Sequence, residues 1–388
     1  MSLGLFLADP VWAATATKLS ITTPAQTLLV GKCSAITTVQ SQNSSSVAVV
    51  QSTGRKVSLS GTSFTFYSNA TCSTRVSSVK IAAGASTANF YFKSNVSGTR
   101  AIKAASTGLT TAKQKETINA APLVLRPIPY PLYGVTVDAI DHLQDILQSL
   151  QNLVYMPTVR VVFDEWIPAT DYRNAVSQMN SVSFVVGEIL DSSAVEQYTV
   201  NQYQQRTTEY LDTIGSLVDI WEIGNEINGE WLGTTPGEIP SVVAKMTGAY
   251  DLVKARGGRT ALTLYYNEDC WTYPSEEMFT WADANIPADM KQELDYVLVS
   301  YYEEDCNNLR PDWPTVFERL AAMFPNSKIG FGETGTSIDA DKADTINRYY
   351  PLQIDQPNYI GGYFWWYFKE DMVPYTNPLW SVLNAAIQ

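Results

Sequence analysis

From Tyr133 to the C-terminus, a short β-branched or aromatic run followed by a longer stretch of helical period recurs eight times. A strand that follows its predecessor through a helix runs parallel to it, so the repeat calls for a parallel sheet with helices on its faces. The runs are Tyr133–Val137, Val159–Phe163, Ser183–Ile189, Asp219–Gly224, Thr260–Tyr266, Asp295–Tyr302, Lys328–Gly332 and Tyr359–Trp366. Ile140, Leu143, Ile146, Leu150 and Leu153 share a helical face after the first, and a long helical stretch over 194–217 precedes the fourth. Gly257-Gly258 closes the helix before the fifth, and Leu379–Ile387 reads as the last helix. Eight units in about 265 residues match the size of a (β/α)8 TIM barrel, with an open doubly wound sheet as the other arrangement. No Gly-x-Gly-x-x-Gly turn follows the first run and no phosphate loop occurs anywhere, so the motifs call for no cofactor.

Residues 18–121 have a different texture, rich in Ser, Thr, Ala and Val. Short alternating runs recur at Leu28–Val30, Val47–Val50, Val57–Leu59, Phe64–Tyr67, Val79–Ile81, Ala88–Phe92 and Ala101–Ile102, punctuated by Gly54, Gly61, Gly84, Gly98 and Gly108. That is the spacing of an antiparallel β-sandwich of about 100 residues. The module resembles the small immunoglobulin-like domains attached to secreted bacterial enzymes. Phe64, Phe66, Phe90 and Phe92 fall at period two, which assigns them to a core sooner than to a sugar-stacking platform. Pro122, Pro127, Pro129 and Pro131 then form a stiff connector, so the second domain is expected over 122–388. Residues 1–17 stand outside this scheme: the apolar stretch Leu3–Ala16 ends in small residues and reads as the tail of a secretory signal or as an added start.

An exported, oxidising destination suits the four cysteines, two in each half. Three pairings are possible; the split favours Cys33 with Cys72 and Cys270 with Cys306, with buried thiols as the other reading. Residues up to Ala121 hold 11 Lys+Arg against 2 Asp+Glu, and the remainder 15 against 37, so net charges of +9 and −22 compose the overall −13. A chain so acidic is a poor partner for nucleic acid, and no run nears the roughly 20 apolar residues that cross a bilayer. The basic half either meets something acidic or simply keeps itself soluble. A single histidine, His142 beside Asp141, rules out multi-histidine zinc sites and reads as a helix-surface residue.

In a parallel barrel, chemistry sits where strands end. The fourth run ends in Trp221-Glu222-Ile223-Gly224-Asn225-Glu226-Ile227-Asn228 and the seventh in Gly330-Phe331-Gly332-Glu333-Thr334-Gly335. Two glutamates at one mouth are what a glycosidase needs, one protonated to release the leaving oxygen and one ionised to attack the anomeric carbon.

The Asn-Glu pair closing the fourth strand, the Glu closing the seventh and an aromatic eighth strand resemble clan A of the retaining glycoside hydrolases, which contains many cellulases and xylanases. The resemblance makes Glu226 the general acid/base and Glu333 the nucleophile. It makes Asn225 a partner of the sugar 2-hydroxyl, and Arg160 a cation beneath the nucleophile that favours its ionised form. Where the clan often has His-x-Tyr on the sixth strand, this chain has Ser300-Tyr301-Tyr302; Tyr302 fits and Ser300 replaces the histidine. The clan's sugar-floor tryptophan corresponds to Trp366, with Trp365 as its substitute because only one of the pair can face the lumen. Among loop aromatics Trp166, Trp231 and Trp271, Trp231 suits a leaving-group subsite.

Further acids are expected at the mouth: Asp164, Glu165, Glu188, Asp191, Glu268, Asp269, Glu303, Glu304 and Asp305. A calcium site over 303–308 is a second reading of the last group, although its spacing matches no standard calcium loop, and no metal is expected. With these features, the resemblance implies a secreted, monomeric retaining endo-β-1,4-glycanase acting on plant-wall β-glucan, cellulose or xylan. A transglycosylase using the same pair and a catalytically weak carbohydrate-binding or cell-surface protein are the alternatives.

Overall fold

The computed structural model describes residues 15–388; the expected signal segment lies almost wholly outside them. The chain divides into two units, residues 1–121 and 122–388.

The N-terminal unit consists of β1 (Lys18–Ile21), β2 (Thr27–Leu29), β3 (Thr37–Gln42), β4 (Arg55–Ser60), β5 (Phe64–Tyr67), β6 (Arg75–Val76), β7 (Ser78–Ile81), β8 (Thr87–Ser94), β9 (Gly98–Ala105) and β10 (Ala112–Asn119). They form two five-stranded sheets, β1-β3-β8-β5-β6 and β2-β10-β9-β4-β7. Alternate residues point inward, so Val39, Val57, Phe66, Phe90, Phe92, Ile102 and Ile118 share one apolar core, against which Phe64 packs. Cys33 and Cys72 are bonded. The Val47–Val50 run is not a strand: Ala48 makes one isolated bridge to Gln42, and Val47 and Val50 are exposed. Asn43 and Ser46 make a turn that folds this segment back along β3, where Val49 is buried and its amide donates to the Ser41 carbonyl, but the pairing is limited to one bridge and forms no ladder.

In the second unit β11 (Leu132–Val137), β12 (Thr158–Val162), β13 (Phe184–Glu188), β14 (Ile220–Gly224), β15 (Thr260–Tyr265), β16 (Tyr296–Tyr301), β17 (Lys328–Thr334) and β18 (Gly361–Trp365) close into a parallel barrel in sequence order. Both faces of each strand are buried, which explains the near-continuous β-branched runs. Leu132, Val186, Ile220, Ala261, Tyr296, Leu298, Ile360 and Phe364 fill the interior, and their neighbours of opposite parity meet the helices. Behind β17, Phe331 packs edge-on against Trp313, Phe317 and Tyr349, contacts that add roughly 0.5–1.5 kcal/mol each beyond burial.

The helical stretch expected over 194–217 is broken. A 3-10 turn spans Ser192–Gln197, and an α-helix restarts at Val200 behind a capping box formed by Thr199 and Gln202. His142 occupies the N-cap position of helix Leu143–Gln151 with its side chain mostly exposed.

Candidate active site

Alternation along the strands sets what reaches the mouth. On β16, Tyr296 and Leu298 lie in the interior cluster, so Ser300 and then Tyr302 follow on the lumen side. On β17, Ile329 and Phe331 pack outward, and by simple alternation Glu333 would too. The register against β16 shifts there, Val299 pairing with Phe331 but Ser300 with Glu333, and this irregularity turns the carboxylate inward. A second shift, between Glu222 and Gly224, precedes Asn225 and Glu226. Glu226 adopts φ 44°, a left-handed conformation that costs a non-glycine residue of order 1 kcal/mol or more and is typical of functional positions.

The two glutamates open into one cavity of about 490 Å³, also lined by Asp191, Ser192, Trp231, Tyr265, Tyr302, Glu304, Asp305, Trp366 and Tyr367. Their surroundings differ. Glu333 accepts from Arg160 Nη1 at 2.8 Å on one oxygen and from the Tyr302 hydroxyl at 2.6 Å on the other. Glu226 has no cationic partner and accepts from two hydroxyls, Ser300 at 2.6 Å and Ser192 at 3.1 Å. Burial, reinforced by the charge of Glu333, pushes Glu226 up to about 8. Burial also raises Glu333, while Arg160 and Tyr302 oppose the rise. Arg160 acts toward the ionised form of Glu333, and desolvation is the larger effect.

Arg160 is 1% exposed and sits among three carboxylates. Its Nε donates to Glu222 at 2.7 Å, and Thr263 also donates to Glu222 at 2.5 Å. Glu188 Oε2 lies 3.0 Å from Arg160 Nη2, yet the alignment is not that of a hydrogen bond and neither Glu188 oxygen has a hydrogen-bond partner. Burial drives the Glu188 pKa well above the carboxylate range, with Arg160 opposing it and Glu222 adding to it. Burial thus pushes Glu188, beneath the site, toward its protonated form, with Arg160 opposing.

Asn225 is almost fully buried; its Oδ1 accepts from the Ser192 amide at 3.0 Å, and its Nδ2 has no protein partner. The broken helix matters locally, because Asp191 caps the 3-10 turn that brings Ser192 against both Asn225 and Glu226. Trp366 lines the cavity, its ring centroid 5.7 Å from Arg160 Cζ. Trp365 does not: it packs in the outer core with Nε1 donating to Asp371, because interior Phe364 sets the alternation. Trp231 is 44% exposed and lines both this cavity and a second of about 430 Å³ that includes Glu196, Glu230 and Leu232. Trp166, stacked on Tyr198, and Trp271 are exposed but not among the cavity's lining residues.

Of the other acids expected at the mouth, Asp191, Glu304 and Asp305 line the cavity. Asp164 accepts from Tyr172, Glu268 pairs with Arg319, and Glu303 pairs with Arg310 and Arg348. Those pairings take Glu303 away from the suggested calcium site, and among the described residues no group of three or more His, Cys, Asp or Glu is placed to hold a metal. Cys270 and Cys306 are bonded, joining the loops after β15 and β16. Sequence reasoning passed over Ser192 and Glu222 and gave Ser300 no role. The lumen parity of Ser300 with Tyr302 was the available signal.

No protein-family model matches the sequence, and no curated protein matches it. Solved structures similar to it include an FMN-binding β-glucuronidase from Facaelibacterium prausnitzii L2-6, 12% identical, covering 90% of this chain and 55% of that one with a TM-score of 0.39. A GH5 xyloglucanase of Bacteroides ovatus in complex with a XXXG heptasaccharide is 11% identical, covering 95% and 99% with a TM-score of 0.44. Gas2p of Saccharomyces cerevisiae in complex with laminaritriose and laminaritetraose is 12% identical, covering 66% and 64% with a TM-score of 0.45. The chain thus spans about half the length of the β-glucuronidase and nearly all of the xyloglucanase. The fold itself is read from strand order and register, not from these likenesses.

Proposed function

We propose that the barrel is a retaining endo-β-1,4-glycanase acting on neutral plant-wall polysaccharide, β-glucan, cellulose or xylan. The observation that carries this reading is the contrast between two buried glutamates in one cavity, one held by an arginine and a tyrosine hydroxyl, the other without a cation and pushed up to about 8. That contrast suits an acid and a nucleophile working at the same pH.

In the first step Glu226, protonated at neutral pH, gives its proton to the glycosidic oxygen as Glu333 attacks the anomeric carbon. The C–O bond to the leaving sugar breaks and a glycosyl ester forms on Glu333. Once Glu333 is esterified its charge is gone, the Glu226 pKa falls, and Glu226 takes a proton from the water that attacks the same carbon and frees Glu333. Asn225 Nδ2, buried without a protein partner, suits the sugar 2-hydroxyl, a contact that strengthens as the oxocarbenium-like transition state forms. Trp366 supplies an aromatic floor, and Trp231 carries the leaving side of a chain onward into the second cavity, which favours internal cleavage of a polymer. Asp191, Glu304 and Asp305 at the cavity, in a unit of net −22, disfavour an acidic polymer there.

The β2–β10 parallel pair and the two-sheet core support an immunoglobulin-like reading of the N-terminal unit. Two disulfides, with no helix among the described residues long and apolar enough to cross a membrane, support a secreted protein. All the site residues come from one barrel, which suits a monomer.

The test is reducing-end release from β-glucan, carboxymethylcellulose, xylan, mannan and galactan by the wild type, Glu333→Gln and Glu226→Gln, with NMR of the first anomer formed. Release of the retained anomer that collapses in both variants is expected. Full activity in Glu333→Gln sinks the nucleophile assignment, the inverted anomer sinks the covalent route, and products longer than the substrate make the enzyme a transglycosylase.

A further inference from the structure

The N-terminal unit has an uneven surface. Its described residues include eleven lysines and arginines and one acid, Glu116, which is 1% exposed and accepts from the Gln26 amide. Five of the cations, Lys56, Lys80, Lys103, Lys113 and Lys115, are exposed on the outer face of sheet β2-β10-β9-β4-β7, since their alternates Val57, Ile81, Ile102, Ala104 and Ala112 fill the core. Lys113 is the direct register partner of Lys103, and Lys56 that of Lys80. Like charges opposed across a ladder are destabilising, and among the described residues none of the five makes an ion pair or side-chain hydrogen bond that would relieve the repulsion. Five of the eleven cations thus share one face, four of them in two directly opposed pairs, at a cost in stability.

We propose that this face docks on an acidic polysaccharide, a polymer of uronic acids. Ser58, Ser60 and Thr117 stand on the same face between the lysines, and no aromatic side chain does. Rows of ammonium and hydroxyl groups match a polymer that repeats carboxylate and hydroxyl. Nucleic acid would want stacking aromatics or arginine forks, and a lipid surface would want apolar side chains to insert between acyl chains. The surface lies wholly in the N-terminal unit and its role is read by binding, so it stands or fails separately from the barrel's chemistry.

The experiment is biolayer interferometry of the full chain on sensors coated with polygalacturonate or neutral xyloglucan, alongside flotation with phosphatidylserine-containing vesicles. The wild type is compared with a variant carrying Lys56→Gln, Lys80→Gln, Lys103→Gln, Lys113→Gln and Lys115→Gln, and with a Lys32→Gln, Arg75→Gln control on exposed positions off this face. Polygalacturonate binding is expected to weaken roughly tenfold or more when salt is raised from about 50 to about 200 mM. At the lower salt the five-lysine variant is expected to bind at least about tenfold more weakly, and the control within about twofold of wild type. Removing opposed lysines also predicts a melting temperature no lower than that of wild type, which separates lost docking from lost folding. Equal binding by the five-lysine variant, no binding by the wild type, or tighter binding to the vesicles than to polygalacturonate overturns the proposal.

Discussion

Ser300 donates its hydroxyl to Glu226 Oε1 at 2.6 Å, from a strand position two residues before the tyrosine that donates to Glu333. A hydroxyl can stabilise the carboxylate without bringing a positive charge, so Glu226 is held in place while burial keeps its pKa high. Ser300→Ala removes a donor to the charged form. The expected results are a basic limb of the pH profile moved upward and kcat/KM reduced about tenfold, from a less well oriented acid. A pH-rate series on the variant checks both. A basic limb that stays in place while the rate falls would mean that Ser300 acts on something other than Glu226.

The pH dependence of the wild type follows from the same pair. The proposed mechanism needs Glu226 protonated and Glu333 ionised, so kcat/KM is expected to fall above about pH 8 as Glu226 loses its proton. It is expected to fall on the acid side at a pH above the ordinary glutamate value, because burial raises Glu333. In Glu333→Gln the negative charge that helps raise Glu226 is gone, and the Glu226 pKa should drop. Carbon-13 NMR of labelled glutamate side chains in wild type and variant reads this directly.

Much of this arrangement was legible in the strand ends, and some of it could not have been. Parallel strands buried on both faces write themselves as unbroken apolar runs, so the eight barrel strands stand out to within a residue or two. The N-terminal strands β1, β3 and β10 do not. Thr37–Gln42 and Ala112–Asn119 place polar residues on both faces, with Thr37, Ser41 and Glu116 buried beside lone apolar residues such as Val39 and Ile118, which leaves almost no period to detect. At the site, Glu226 and Glu333 end their strands in recognisable motifs. That Glu333 faces inward depends on a one-residue register shift, and that Ser192 meets Glu226 depends on a helix broken at Tyr198 and Thr199. The first is a tertiary fact with no local signature, whereas the second had one in Thr199 and Gln202, whose capping-box spacing starts a helix at Val200.

A buried acid with a raised pKa also affects stability. Glu226 goes from an ordinary value of 4.5 in the unfolded chain to about 8 in the folded one, so the folded state holds the proton more tightly. Its contribution is fully present below about pH 4.5 and is lost as pH rises through about 8, a change of order a few kcal/mol at roughly 1.4 kcal/mol per pKa unit. Glu226→Gln keeps the shape and cannot ionise. The variant is expected to melt close to wild type at pH 5 and several degrees higher at pH 9, while losing its activity at both. Paired thermal scans at the two pH values test this, and an equal shift at both would show that Glu226 titrates normally.

The two deeper acids beside Arg160 should respond in opposite ways to the same substitution. Glu222 accepts from Arg160 Nε and from Thr263, whereas Glu188 has no aligned donor and burial pushes it toward its neutral form. With Glu188 held toward its neutral form, Glu188→Gln removes little charge, so it should change stability by less than about 1 kcal/mol and leave the acid limb of the pH profile where it was. Glu222→Gln takes a negative charge from a buried arginine. It should cost a few kcal/mol, short of the roughly 3–5 kcal/mol of a fully broken buried pair because Glu333 still faces Arg160. It should also leave Glu333 as the main counter-charge of Arg160 and so shift the acid limb downward, since Glu222 is one of the charges that raise Glu333. Urea unfolding and pH-rate profiles of the two variants, measured side by side, separate these outcomes: a Glu188→Gln variant as unstable as Glu222→Gln, with its acid limb also shifted down, would mean that Glu188 is ionised and that Arg160 is balanced by three charges instead of two.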